Sequence, residues 1–192
     1  MRIGILALQG AVEPHKKKLL ASGIEAVEVR NSQDLLGLSG IILPGGESTT
    51  MILLLKINSL WEPLKDFVRE KPAWGACAGV ILLAKSVISP SQQSLDVMNI
   101  VVKRNAYGRQ NESFMAPIEP TRNWIGAEKL EGIFIRAPKI TEMSDTTNVL
   151  FRFKEDPVMV EEGHLIATTF HPELTDSDRI HNYFIGKCKK YG

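Results

Sequence analysis

Cysteine is nearly absent. Only Cys77 and Cys188 occur in 192 residues, far apart and in no CxxC pair. That excludes a disulfide scaffold and a cysteine-built metal site, and a reducing compartment is expected. Neither a metal nor a cofactor is expected. Charge of one sign is also missing: 23 basic residues stand against 22 acidic ones, for a net charge of +1. Such balance offers no electrostatic handle for nucleic acid or an anionic membrane surface, and neither is expected as a partner. The basic run Lys16-Lys17-Lys18 reads as a solvated helix face. No apolar stretch approaches the length of a membrane span. The first ten residues hold a short apolar run that stops at Gln9-Gly10, unlike a secretory signal. These absences lead to the expectation of a cytoplasmic protein.

What is present is enough apolar material, 44% of the residues, for one domain spanning 1–192. The first half alternates between strand and helix signals. Strands are expected at Ile3 to Leu8, Glu25 to Val29 and Gly40 to Leu43. Helices are expected at Glu13 to Ala21, Thr50 to Ile57 (capped by Ser48 or Thr49), Leu60 to Glu70 and Val80 to Ser86. Alternation of this kind builds βαβ units and a parallel sheet. From Asn99 onward the pieces are short and strand-like: Ile100–Lys103, Ser113–Pro117, Gly132–Ile135, Val149–Phe153, Val158–Glu161 and Leu165–Phe170. They extend the sheet or form a small antiparallel addition. A terminal helix follows from Asp176 to Lys189, and Ser89 to Leu95 reads as a mobile surface loop.

Three segments carry chemistry. Gly75-Ala76-Cys77-Ala78-Gly79 lies between a strand signal and an apolar helix. It is the thiol counterpart of the G-x-S-x-G elbow, a sharp turn that lifts a nucleophile above the sheet edge and sets a helix N-terminus beside it. His171-Pro172-Glu173 closes another strand. Residues two apart on extended chain point the same way, so Glu173 can orient His171 while the other ring nitrogen serves Cys77. Pro44-Gly45-Gly46-Glu47-Ser48 also follows a strand. Its paired glycines allow backbone amides to turn toward an oxyanion, and we assign that task to the amide of Gly46 or its neighbour, together with that of Ala78. A phosphate loop is the rival reading, but the G-x-x-x-x-G-K-[ST] pattern is lacking. Cys188 reads as a surface or packing residue, and His15, His164 and His181 as structural or surface histidines.

The segments Leu8–Val12, Pro44–Thr50, Arg104–Gln110, Phe134–Pro138 and Phe170–Thr175 together resemble the PdxT/SNO family over essentially the whole chain. That family comprises the glutaminase subunits of pyridoxal 5'-phosphate synthase, within the triad glutamine amidotransferases. The glycine loop, elbow and His-Pro-Glu are shared with other triad amidotransferases; the Arg104 and Phe134 blocks single out this one. The resemblance implies a flavodoxin-like α/β fold of three layers, a mostly parallel central sheet and a catalytic triad of Cys77, His171 and Glu173. It implies L-glutamine as substrate, with contacts from Gly46, Glu47, Ser48, Arg104, Ile135 and Arg136. It also implies a (β/α)8 synthase subunit of the PdxS/SNZ type as the partner that receives ammonia, and a Gly45–Gly46 peptide that flips when this partner docks. The chain departs from the family at Ala76, where threonine is usual. Two alternatives stand beside this: a triad amidotransferase serving nucleotide, histidine or folate synthesis, and a regulatory subunit without activity.

Overall fold

Strands that are apolar on both faces need cover on both faces, and this architecture supplies it. The computed structural model describes residues 1–104, 106, 113–124 and 129–192. The chain begins with β1 (Arg2–Leu6), α1 (Val12–Ala21), β2 (Glu25–Val29), β3 (Ile41–Leu43), α2 (Ser48–Ile57), α3 (Trp61–Glu70), β4 (Ala73–Ala76) and α4 (Ala78–Leu83). It continues with β5 (Ala84–Ile88), β6 (Met98–Lys103), β7 (Ser113–Pro120), β8 (Leu130–Ile135), β9 (Lys139–Met143), β10 (Asn148–Phe153), β11 (Asp156–Glu162), β12 (Leu165–Thr168) and α5 (Arg179–Tyr191).

In the main sheet, β2-β1-β3-β4-β12 run parallel, and β11-β10-β7-β8 extend the same sheet with antiparallel pairing. A second sheet has the order β5-β6-β9. The expected three-layer α/β plan is therefore present, with a larger antiparallel part than a small addition. Side-chain alternation assigns the layers. On β3, Ile41 and Leu43 pack toward α2, α3 and α4, whereas Ile42 packs toward α1 and α5. Ala73 and Trp74 divide between the same two faces on β4. Each large side chain buried in this way contributes about 1.5–3 kcal/mol. Among the described residues, no helix is long and apolar enough to cross a membrane.

Several local expectations are corrected. The helix expected to run to Ser86 ends at Leu83, because Ala84 turns extended and β5 pairs in parallel with β6. Tertiary pairing there overrides helix propensity. Strand β9 carried no clear signal, since Lys139-Ile140-Thr141-Glu142-Met143 has a single fully buried position. The cap of α2 is Glu47, whose carboxylate accepts from the amides of Thr49 and Thr50 at 3.2 and 2.7 Å. Of the basic run, only Lys17 is exposed; Lys16 pairs with Glu28 at 2.6 Å and Lys18 with Asp178 at 2.7 Å. The loop after β5 is tied to α2, through Ser48 on Gln92 at 3.0 Å and Lys56 on Gln93 at 2.6 Å. Cys188 packs in the core, where burial pushes its thiol up to about 12.

His15 on α1 and His181 on α5 meet in the interior beside Trp74. Burial, then the nearby charge of Lys18, holds His181 down to about 3 against the attraction of Asp178. His15 lies well below its ordinary value, through burial first and then through His181, His171 and Lys18.

Two predictions come from this packing. Helix propensity alone says that Gly79→Ala should stabilise α4 by about 1 kcal/mol. A methyl group at Gly79 would instead collide with the carbonyl of Leu43 on β3. The expected outcome in urea denaturation is a loss of about 3 kcal/mol, whereas Gly186→Ala on α5, where a methyl meets nothing within 4 Å, should be neutral or stabilising. The second concerns acid. Well above pH 6.5 neither folded nor unfolded chain takes protons at His15 and His181, so their contribution levels off there. Below 6.5 the unfolded chain binds protons that the native rings refuse, so stability falls as pH drops from 6.5 toward 3. Urea midpoints measured between about pH 7 and about pH 4 should decline less steeply for the His15→Gln/His181→Gln double variant than for the parent chain.

Candidate active site

The strand order sets the meeting point. Strand β4 lies between β3 and β12, all three parallel, so their C-terminal ends open on one edge. The chain reverses its direction of progress between β1 and β3, which leaves a crevice at their carboxyl ends. The loops that follow β1, β3, β4 and β12 therefore surround a single cavity of about 430 Å³. This is a usual size for a small-molecule site, roughly 300–1,000 Å³.

Cys77 occupies the elbow between β4 and α4, with φ 48° and ψ −101°. A non-glycine residue in such a region costs about 1–3 kcal/mol and persists only where its surroundings enforce it. Here the Cys77 amide donates to the carbonyl of Thr168 on β12 at 2.8 Å, and the Cys77 carbonyl accepts from Val80 at 3.1 Å. The flanking glycines have a packing reason: a side chain at Gly75 would strike the backbone of Gly79 and Val80. The sulfur lies 3.8 Å from the carbonyl of Ile135.

His171 follows β12, and its amide donates to Ile133 on β8 at 2.8 Å. Its Nδ1 donates to Glu173 Oε1 at 2.7 Å. Cys77 and His171 are each 7% exposed and Glu173 is 4% exposed. Burial disfavours the imidazolium, but hydrogen bonding to Cys77 and Glu173, and their negative charge, outweigh it and raise His171 to about 10. The arrangement favours the charged form of His171 beside the sulfur of Cys77. Gly45 permits it, because a side chain there would overlap the His171 ring.

The glycine loop is clamped from the β1 side. Ala11 donates to the carbonyl of Gly45 at 3.0 Å, and Glu47 donates to the side-chain oxygen of Gln9 at 2.8 Å. Gly46, Glu47, Ser48, Cys77, Ala78, Arg104, Ile135, Arg136 and His171 all line the cavity, whereas Glu173 stands behind His171. Arg104 Nη2 lies 3.5 Å from Glu47 Oε1, and Arg136 is exposed with φ 47°. The hydrogen bonds from Thr50 and Thr49 hold the Glu47 carboxyl below its ordinary range even though burial opposes them. Of the Arg104–Gln110 block, Asn105 and residues 107–110 lie outside the described residues. Ala106 donates to Ala137 at 3.1 Å, which sets this block beside Phe134–Pro138. Among the described residues, no group of three or more His, Cys, Asp or Glu side chains is placed to hold a metal ion.

Reading the sequence missed three sets of residues. Gln9, Gly10 and Ala11 form the clamp and part of the wall; their signal was the Leu8–Val12 segment, whose role needed the fold. Ile81, Pro138 and Leu174 complete the lining; Pro138 and Leu174 belong to the Phe134–Pro138 and Phe170–Thr175 segments, whereas nothing in its local pattern marks Ile81. His15 and His181 lie behind Glu173, brought there from opposite ends of the chain.

A protein-family model described as the SNO glutamine amidotransferase family matches residues 5–190. The chain is 46% identical over 192 residues to a protein named pyridoxal 5'-phosphate synthase subunit PdxT from Dictyoglomus turgidum, covering 99% of this chain and 100% of that one. A protein of the same name from Solibacter usitatus is 43% identical over 189 residues, covering 97% and 98%. Among solved structures, one described as a glutamine amidotransferase superposes with a TM-score of 0.89 at 41% identity, covering 97% and 98% of the two chains. Agreement of this extent, in sequence and in fold, leaves no part of the site outside the match, and the chain belongs to the SNO glutamine amidotransferase family.

Proposed function

We propose that the protein hydrolyses L-glutamine to L-glutamate and ammonia through a thioester on Cys77, and passes the ammonia to a synthase subunit that makes pyridoxal 5'-phosphate. The observation that carries this reading is the convergence of Cys77 and the His171–Glu173 pair on one cavity beside the Gly45–Gly46 loop.

In this mechanism Cys77 Sγ attacks the side-chain carbonyl carbon of glutamine. Negative charge builds on the amide oxygen, and the backbone N–H groups of Gly46 and Ala78 donate hydrogen bonds to it. The Ala78 amide suits that role because it sits in the first turn of α4, with no intrahelical partner. His171 gives its proton to the leaving nitrogen, ammonia departs and the γ-glutamyl thioester remains. His171 then takes a proton from water as the water attacks the thioester carbon. Collapse of this second intermediate releases glutamate and restores the thiolate. Glu173 holds the imidazole in register throughout. At the other end of the substrate, Glu47 faces the α-ammonium and Arg104 the α-carboxylate, with Ser48, Ile135 and Arg136 completing the wall. The Glu47–Arg104 separation of 3.5 Å leaves both groups free to exchange partners with a zwitterion.

The relatives named as synthase subunits support the destination of the ammonia. The chemistry supports it too: free ammonia in neutral water is largely protonated, and a sealed path to the (β/α)8 synthase subunit preserves the nucleophile. On this reading, a flip of the Gly45–Gly46 peptide on docking would break the Ala11–Gly45 hydrogen bond, which is the restraint that docking has to overcome.

Glutamate release assayed with the synthase subunit present should drop by roughly 10⁴-fold or more in Cys77→Ala; retained activity would remove the thiol from the mechanism. Arg104→Leu should raise KM for glutamine by roughly 10-fold or more, with a smaller change in kcat, as expected for loss of a charged hydrogen bond to the substrate. An unchanged KM would assign the carboxylate to another cation.

A further inference from the structure

Glu173 has two carboxylate oxygens, and the proposed triad uses one. Oε1 accepts from His171 at 2.7 Å. Oε2 is buried and has no hydrogen-bond partner among the described residues. The atom that faces it is His15 Nε2, 3.6 Å away, and both side chains are fully inaccessible. His15 Nε2 also lacks a hydrogen bond among the described residues. The other nitrogen of His15 is engaged: its Nδ1 lies 3.0 Å from His181 Nε2. Trp74 stands edge-on to both rings, at 5.1 Å from His15 and 4.8 Å from His181, and its own Nε1 donates to Thr168 at 3.0 Å. The two imidazoles are therefore pinned in a dry wall directly behind the triad.

We propose that His15 is a positioning residue for this site: as the neutral Nε2–H tautomer it presents its proton to Glu173 Oε2, with that tautomer selected by His181. The proposal rests on the Cys77–His171–Glu173 assignment and deepens it.

The argument is one of proton placement. A carboxylate can only accept, so a bare Nε2 on His15 would set a lone pair against a negative oxygen in a dry site. With the proton on Nε2, Nδ1 becomes an acceptor and His181 Nε2–H donates to it. This is the only arrangement of two neutral rings that puts one proton in each gap. Neutrality matters as well. Burial keeps both rings uncharged; His181, His171 and Lys18 also lower His15, while Lys18 lowers His181 against the attraction of Asp178. A charged His15 would compete with the His171 imidazolium for Glu173, whereas a neutral donor steadies the carboxylate and leaves its charge for His171. At 3.6 Å the contact is electrostatic and longer than a hydrogen bond. A movement of roughly 0.5 Å closes it, of the kind seen when such sites tighten around substrate.

The test uses the glutaminase in complex with its synthase subunit. His15→Leu should lower kcat for glutamate release roughly 10-fold with KM for glutamine within about two-fold, because the loss is in orientation and not in substrate binding. His15→Gln, whose amide nitrogen reaches the Nε2 position, should recover most of that loss. Equal kcat for His15→Leu and the parent, or losses in both variants that merely follow their melting temperatures, would overturn the proposal. Cys77→Ala in the same assay separates the layers: its inactivity beside an unaffected His15→Leu defeats the positioning role and spares the triad. A readout that needs no variant is the ¹⁵N spectrum of the histidine side chains in the chain itself. His15 must show a protonated Nε2 and a bare Nδ1 at neutral pH; the opposite tautomer, or a doubly protonated ring, would overturn the inference.

Discussion

The hydrogen bond from the Cys77 amide to the Thr168 carbonyl links the two strands on which the rest of the site depends. It continues the parallel register of Ala76 with Thr168, so the chain leaving β4 and the chain leaving β12 depart side by side. The elbow carries a positive φ at a residue with a side chain, which is unfavourable in isolation. The sheet on either side supplies the restraint. β3 packs its Leu43 carbonyl against Gly79, and β12 holds the Cys77 amide, so the turn has no room to relax.

The second constraint is dryness. Cys77, His171 and Glu173 are almost fully removed from solvent, where an unpaired charge is costly. The structure answers by pairing. Glu173 faces His171 on one side and the neutral His15 on the other, and His171 stands between two partners that favour its charged form. The same low-polarity surroundings that make the pair expensive to assemble make its interactions strong once assembled. At the open end of the cavity the pattern differs. Gly46 and Arg136 are exposed, and Glu47 and Arg104 are partly so, which suits the substrate-binding role proposed for them.

How much of this was legible depends on range. The elbow could be read because Gly75 and Gly79 are short-range consequences of a tight strand-to-helix turn, and the glycine loop because Gly45 follows an apolar strand. The pairing of His171 with Glu173 could be read because two residues apart on extended chain is a local relation. The helix that stops at Leu83 could not, because Ala84–Ile88 becomes a strand only through β6, which arrives later in the chain. β9 was invisible for the same reason: its partner β6 supplies what its own polar sequence lacks. The lysine run looked solvated because its acidic partners, Glu28 and Asp178, come from other segments.

The sequence by itself determined the residue types and local turns: a thiol at a strained elbow, an imidazole beside its carboxylate, a glycine loop able to offer amides, and strand–helix alternation that demands a parallel sheet. These follow from steric and periodic rules acting over a few residues. Only the tertiary structure decided that the three loops share one cavity, that Gln9 and Ala11 clamp the glycine loop, and that His15 and His181 meet behind Glu173 from opposite ends of the chain. Those relations depend on strand order and layer packing, which bring together groups that no local pattern relates.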